Sequence, residues 1–136
     1  MAQLVDSSVW ITLERRGLTL DDLAQVVGEE PLRLASITAS ELLFGVYRAD
    51  SPERRRRRES FVEEVLRLIP VLGFDISTAR THARLWALLA TAGTPIDAND
   101  LIIAATAVTH AHSVLTENLR HFNPVPGLVV RQPAWP

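Results

Sequence analysis

Four short stretches of the chain place acidic or amide side chains where an apolar, strand-like run gives way to the start of a helix. They are residues 4–8, 37–41, 96–100 and 115–118. A carboxylate beside an apolar run is costly to desolvate, so it usually has a partner or a metal. Because the four stretches are spread over the whole sequence, we interpret them as parts of one acidic pocket that the fold assembles.

The polar residues of these stretches suggest one kind of chemistry. They are Asp6, Glu41, Asp97, Asp100 and Asn118. Carboxylates that crowd together raise each other's pKa by repulsion, and a divalent cation relieves that repulsion. Magnesium and manganese prefer oxygen ligands, and such a cluster activates a water and holds a phosphodiester in metal-dependent nucleases.

Each of these side chains also has a structural explanation at the end of a helix. Asp6 and Asn118 are suitable helix caps, and Glu41 lies three residues after Thr38, as in a capping box. The two acids of residues 97–100 would be favoured in a first helical turn by the helix dipole. Capping accounts for each residue separately, but not for their common position at one end of their predicted elements.

The elements that must position these residues alternate between strand and helix. Short apolar runs predict strands at residues 4–5, 32–37, 71–72, 113–115 and 128–130. Helical spacing and capping residues predict a helix starting at residues 7–8, further helices at 20–27, 38–48, 51–68, 75–93 and 97–111, and a helical turn at 118–122. This alternation predicts an α/β sandwich around a parallel sheet, in which sites form at the carboxyl ends of the strands.

Composition narrows the class of protein. A chain of 136 residues, 47% hydrophobic, predicts a single domain over residues 1–136 with a sizeable core. The net charge of -2 gives no general attraction to nucleic acid, so contact with RNA requires a local patch. The absence of cysteine excludes disulfides and thiolate catalysis and is compatible with the cytoplasm. The longest apolar run, residues 101–108, is too short to span a bilayer.

Other charged and aromatic residues allow two explanations each. The arginine run at residues 54–58 suits RNA phosphates, but flanking glutamates also explain it as a solvated helix face. We interpret His110, His112 and His121 as surface or capping residues rather than metal ligands. Trp135, in the tail, is a candidate to dock on the domain.

Taken together, the four stretches resemble the motifs of PIN-domain ribonucleases, specifically the VapC-type toxins of bacterial toxin–antitoxin pairs. The resembling segments are residues 4–10, 38–46, 93–105 and 115–122. The resemblance implies a PIN-like three-layer sandwich, a parallel sheet of about four or five strands with helices on both faces. It also implies endonucleolytic cleavage of RNA that depends on Mg²⁺ or Mn²⁺.

The resemblance assigns roles to individual positions. The positions of the metal ligands fall on Asp6, Glu41 and Asp100. Asn118 stands where many members have a fourth acid, and Asp97, one turn before Asp100, is a candidate to supply the missing charge. Thr116 matches a hydroxyl position that lines the pocket.

The resemblance also implies partners. These are a small VapB-type antitoxin that covers the pocket, an RNA substrate, and a second copy of the chain in a homodimer, all in the cytoplasm. We expect the antitoxin helix to lie on the apolar helix faces around Trp10 and Phe44.

Three other functions were weighed against this one. A receiver-type phosphoacceptor needs a lysine, and all 14 residues of the lysine and arginine class are arginine. A haloacid-dehalogenase-like phosphatase needs a second Asp where Ser8 stands. A non-catalytic regulatory or binding domain of PIN-like fold, whose acids only cap helices, stays open; it predicts no specific Mn²⁺ or Mg²⁺ site on titration.

Overall fold

A five-stranded sheet lies at the centre of the computed structural model, which describes all residues 1–136. The strands are β1 (Gln3–Val5), β2 (Leu32–Ala35), β3 (Val71–Leu72), β4 (Ser113–Leu115) and β5 (Val130–Arg131). All neighbouring strands are parallel, and their spatial order is β3-β2-β1-β4-β5. The predicted parallel sheet of four or five strands is confirmed.

Seven helices connect the strands. They are α1 (Ser7–Arg15), α2 (Leu20–Val27), α3 (Ser36–Tyr47), α4 (Pro52–Leu68), α5 (Ile76–Ala92), α6 (Ala98–Thr109) and α7 (Leu119–Phe122). Four of these helices begin at a side chain that accepts a hydrogen bond from a backbone N–H of the first turn, as capping chemistry requires. These caps are Thr19, Ser51, Asp75 and Asp97.

The two faces of the sheet carry separate hydrophobic cores, because successive residues of a strand point to opposite faces. Leu4 and Val114 pack in the core that α5 and α6 cover. Their neighbours Val5 and Leu115 pack in the core that α1 and α4 cover. Helices therefore lie on both faces of the sheet, and the predicted three-layer sandwich is confirmed.

The strand order reverses at β1. The chain passes from β1 to β2 and β3 on one side, and β4 and β5 lie on the other side. In parallel α/β sheets, binding sites form outside the carboxyl ends of the strands at such a switch point. Asp6 follows β1 and donates its backbone N–H to Leu115 of β4 at 2.9 Å, which places both strand ends side by side.

Several element boundaries differ from the prediction by one or two residues, and two of these differences have a clear physical cause. β2 ends at Ala35 and α3 begins at Ser36, so residues 36–37 are helical rather than extended. Ile37 packs against the core of α5 and α6 from inside the helix, and this packing outweighs the β preference of a branched side chain. The last strand is Val130–Arg131 rather than 128–130, because pairing with β4 sets its register.

Two tryptophans settle open questions from the sequence. Trp10 is completely buried in the core, so its own side chain does not contact a partner helix. Phe44, in contrast, has 61% of its surface exposed and is accessible to a partner helix. Trp135 does dock on the domain, where its Nε1–H donates to Glu117 Oε1 at 3.1 Å. No helix of the chain combines the length and apolarity needed to cross a bilayer.

Candidate active site

Asp6 lies at the centre of the site, directly after β1, and is 5% exposed. Its backbone takes the position before α1, yet its side chain caps no helix. Its Oδ2 instead accepts hydrogen bonds from the Ser8 hydroxyl at 2.8 Å and the Thr116 hydroxyl at 2.9 Å. The second oxygen, Oδ1, is left for other ligands, so the helix-cap explanation of this side chain is wrong.

The two hydroxyls that hold Asp6 are themselves held by the backbone after β4. Ser8 Oγ accepts the N–H of Glu117 at 3.1 Å, and Thr116 Oγ1 accepts the N–H of Asn118 at 3.0 Å. Each hydroxyl therefore accepts one backbone hydrogen bond and donates its single proton to Asp6. The carboxylate is fixed in orientation by the fold before any ligand binds.

Glu41 lies in the second turn of α3 and cannot form the capping box proposed for it. The helix already begins at Ser36, and Thr38, the expected cap, is completely buried inside it. Burial raises the pKa of Glu41, and the charge of Asp6 raises it further. The nearby Asn99 side chain partly offsets the shift, but Glu41 Oε1 is buried without a hydrogen-bond partner. A buried carboxylate oxygen without a hydrogen-bond partner is costly, and a proton, a water or a cation relieves that cost.

Asp100 lies in the first turn of α6 and faces the other acids. Burial, then the charges of Asp6 and Asp97, raise its pKa to about 6. His121 of α7 opposes the shift, with its Nδ1 3.2 Å from Asp100 Oδ2. The structure therefore brings Asp6, Glu41 and Asp100 into one electrostatically coupled group.

The two remaining acidic or amide candidates lie at the edge of this group. Asp97 is exposed and caps α6 by accepting the N–H of Asn99 at 3.1 Å. It is nevertheless close enough to raise the pKa of both Glu41 and Asp100. Asn118 is exposed at the start of α7, where its side chain makes no capping hydrogen bond. Both residues border the site rather than form its centre.

The donor set fits a divalent cation that prefers oxygen. The acidic side chains offer carboxylate oxygens, which such a cation prefers as ligands. One buried oxygen of Glu41 has no hydrogen-bond partner, and the pKa values of Glu41 and Asp100 are both raised. In this structure no three His, Cys, Asp or Glu side chains converge closely enough to hold a metal ion, so a bound cation would have to draw the carboxylates together.

A groove of about 630 Å³ has Glu41 in its lining. Its lining also includes Asn99, in the first turn of α6, and Glu14 and Arg58, which meet near the last residue of α1. Between them the walls are partly apolar, and Phe44 of α3 stands exposed. The groove can accommodate an extended chain or a helix beside the acids.

Two residues of the site were missed by sequence reasoning. Ser8 was considered only for helix-start chemistry, although its position two residues after Asp6 allows contact between the side chains. His121 was interpreted as a surface or capping residue, and it is 56% exposed on its side chain, but it contacts Asp100. No local sequence signal indicated this contact, because it joins two elements that are distant from each other in the chain.

The chain is similar to known proteins over most of its length. The profile of the PIN domain matches residues 4–127. Ribonuclease VapC1 of Rickettsia felis is 34% identical over 130 residues, 96% of this chain and 95% of that protein. The tRNA(fMet)-specific endonuclease VapC of Salmonella typhimurium is 35% identical over 70% of each chain.

A solved structure shares the fold over almost its whole length. VapBC-5 of Mycobacterium tuberculosis, a member of the VapBC family of toxin–antitoxin systems, has a TM-score of 0.74 and 30% identity. The match covers 97% of this chain and 98% of that one.

Proposed function

The chain belongs to the PIN domain family, and we propose that it is a VapC-type endoribonuclease that hydrolyses RNA phosphodiester bonds with Mg²⁺ or Mn²⁺. The observation that carries this proposal is the coupling of three carboxylates at the switch point of the sheet. The charge of Asp6 raises the pKa of both Glu41 and Asp100. A domain whose acids only cap helices does not need such coupling, and neither Asp6 nor Glu41 caps a helix.

The cation would be held by oxygens of Asp6, Glu41 and Asp100. When bound, it would activate a water and stabilise the charge that develops on the phosphodiester. The chain's own contribution is preorganisation: Ser8 and Thr116 fix the plane of the Asp6 carboxylate. In metalloenzymes, partners of this kind set ligand orientation.

Asp97 and His121 adjust the charge around Asp100. Asp97 adds negative charge that favours a cation, and it stands in for the fourth acid that Asn118 does not supply. His121 lies against Asp100 Oδ2 and restricts the orientation of that carboxylate. Asn118, at the rim, offers an amide to the substrate or to water.

The proposal includes a small VapB-type antitoxin as partner in the cytoplasm. The groove beside Glu41 presents two exposed apolar side chains, Ile11 at 54% and Phe44 at 61%. An amphipathic helix lying there buries both side chains and blocks the path of RNA to the acids. Growth inhibition by the free protein and its reversal by a co-encoded antitoxin are the expected phenotypes.

Cleavage mapping on total RNA tests the proposed activity. We expect defined cleavage products with Mg²⁺ and none after chelation of the metal. Asp6→Asn should give no products, whereas Asp21→Asn, which changes an exposed acid on α2, should cleave like the wild type. Equal cleavage by Asp6→Asn, or no divalent-metal binding by the folded wild-type protein, would refute the proposal.

A further inference from the structure

A second charged cleft lies at the end of the groove that is remote from the acids. Its volume is about 310 Å³, and its lining contains no hydrophobic residue: Glu14, Arg54, Arg57 and Arg58. We propose that this arginine cleft is a phosphate-binding subsite that holds the RNA strand several nucleotides from the bond that is cleaved. The inference rests on the proposed ribonuclease function and deepens it.

The arginine cleft adjoins the groove that Glu41 lines. Glu14 and Arg58 line both cavities, so the two are neighbours across the contact between these side chains. Helix α1 connects the two ends, because Asp6 precedes it and Glu14 lies near its last residue. Eight residues of helix span about 12 Å at ~1.5 Å per residue. That distance corresponds to about three or four stacked nucleotides at ~3.4 Å each.

Arg58 builds the wall of the cleft. Its Nε donates to Glu14 Oε1 at 3.1 Å, and its Nη1 donates to the backbone carbonyl of Gly45 at 3.0 Å. These contacts join α4 to both α1 and α3. They fix the guanidinium group of Arg58 beside the groove, and the ion pair with Glu14 neutralises part of its charge.

The other two arginines retain charge for a ligand. Arg57 forms no ion pair or hydrogen bond with another side chain and lines the cleft. Arg54 pairs only with Asp50, one turn earlier, in an exposed contact at 2.9 Å. Exposed ion pairs of this kind contribute little to the free energy of folding, so Arg54 can release Asp50 and bind another anion. Arginine presents a planar fork of donors that matches a phosphate group.

The chemistry of the whole path favours RNA over a protein in the arginine cleft. Interface cores between proteins are apolar and depleted in charge, whereas this lining is entirely charged. The ring of Phe44 lines the groove and is exposed, so a base can stack on the face that the Arg48 guanidinium does not cover. The net charge is -2 and the acids repel phosphates, so attraction for RNA must come from a local basic patch.

Binding of a non-cleavable RNA tests the subsite without depending on catalysis. The probe is a fluorescent 2′-O-methyl RNA of twelve nucleotides, compared with one of three nucleotides. The test variant is Arg54→Gln combined with Arg57→Gln. The matched control is Arg55→Gln combined with Arg56→Gln, which removes the same charge from the same helix but outside the cleft lining.

The test variant should bind the long RNA on the order of tenfold more weakly at 0.1 M salt. The slope of log affinity against log salt should fall by about 1.4, which is ~0.7 for each of two phosphates. The control pair and the short RNA should show little change. If the double variant does not fold, Arg57→Gln alone, which breaks no side-chain contact, should reduce the slope by about 0.7.

Three results would overturn the inference. An equal loss of RNA affinity in the control variant would mean that only the overall charge of the helix matters. Unchanged RNA binding by the test variant would mean that the cleft is not a phosphate-binding subsite. Unchanged RNA binding with weakened binding of the antitoxin would assign the arginine cleft to that protein. Failure of the wild type to cleave RNA would instead refute the proposed function, because the binding measurement is made independently of cleavage.

Discussion

At the scale of single residues, one oxygen of Asp6 accepts two hydroxyl protons. Ser8 and Thr116 both donate to Oδ2, and the backbone N–H groups of Glu117 and Asn118 hold those hydroxyls in turn. Two donors on one oxygen restrict the rotation of the carboxylate and leave Oδ1 outside these hydrogen bonds. The local network converts a flexible side chain into a directed ligand.

Replacing Thr116 tests this network. Thr116→Val keeps the volume and removes the hydroxyl, so it should lower kcat/KM for RNA by about 10–100-fold and weaken Mn²⁺ binding. Thr116→Ser keeps the hydroxyl and should retain most of both. Steady-state kinetics and calorimetric titration with Mn²⁺ measure the two effects. Full activity and unchanged Mn²⁺ affinity in Thr116→Val would show that Asp6 does not depend on this hydroxyl.

Asp100 links the site to stability. Its pKa is raised from 3.8 to about 6, so the folded state binds this proton more tightly than the unfolded chain. Protonation of Asp100 makes its full contribution to the stability of the folded state below about pH 4, and this contribution is lost as the pH rises through about 6. At neutral pH the ionised group therefore destabilises the metal-free protein by ~1–2 kcal/mol, after allowance for its partial solvation.

Asp100→Asn should consequently abolish RNA cleavage while raising the melting temperature in metal-free buffer at pH 7.5. The rise should be several degrees, at about 4 °C per kcal/mol, and should vanish near pH 4, where wild-type Asp100 is protonated. Mn²⁺ should then stabilise the wild type more than the variant. A melting temperature that falls at pH 7.5, or wild-type cleavage, would contradict the proposed role.

At the scale of elements, the strand ends were predictable and their junctions with helices less so. Asp6 and Thr116 follow short apolar runs, and parallel strands bring such positions to one edge. The start of α3 was not predictable, because Ala35 precedes it without a capping hydrogen bond and Ile37 favours a strand by its own preference. Packing against the core decides that boundary.

Contacts between distant elements were the least predictable part of the site. His121 reaches Asp100 only because α7, a helix of a single turn, packs beside the start of α6. No local sequence pattern encodes how α7 packs against α6. Ser8, by contrast, contacts Asp6 across two residues, and a search for hydroxyls near each acid would have found it.

The start of α6 gives a prediction that separates capping from charge. Asp97→Asn keeps an N-cap acceptor but removes a charge that raises the pKa of Asp100, so it should weaken Mn²⁺ binding without lowering the melting temperature of the metal-free protein. Asn118→Asp, which adds a charge at the rim, should tighten binding modestly. Calorimetry with Mn²⁺ compares both variants with the wild type. Unchanged affinity in Asp97→Asn would make Asp97 a helix cap only.

At the scale of the whole molecule, an aromatic face on α5 has no partner within the chain. Phe74, His82 and Trp86 contact edge to face, with ring centroids 5.5 and 5.7 Å apart. Trp86 is 62% exposed, and Ile76 nearby in sequence is 70% exposed. Contiguous exposed apolar side chains mark interaction surfaces. This face lines a pocket of about 290 Å³ with Leu89 and Ile102, apart from the groove that starts at Glu41.

We expect the chain to form a homodimer through this aromatic face. Such a dimer leaves the groove beside Glu41 open to RNA or antitoxin. Sedimentation of the wild type at tens of micromolar should show a dimer, and Trp86→Glu should show a monomer because it places a charge in an apolar contact. Arg84→Glu, two residues away on a different side of α5, is the matched control and should stay dimeric. Since the acids lie within one chain, monomeric Trp86→Glu should still bind Mn²⁺. A wild-type monomer, or a dimer that survives Trp86→Glu, would exclude this face as the interface.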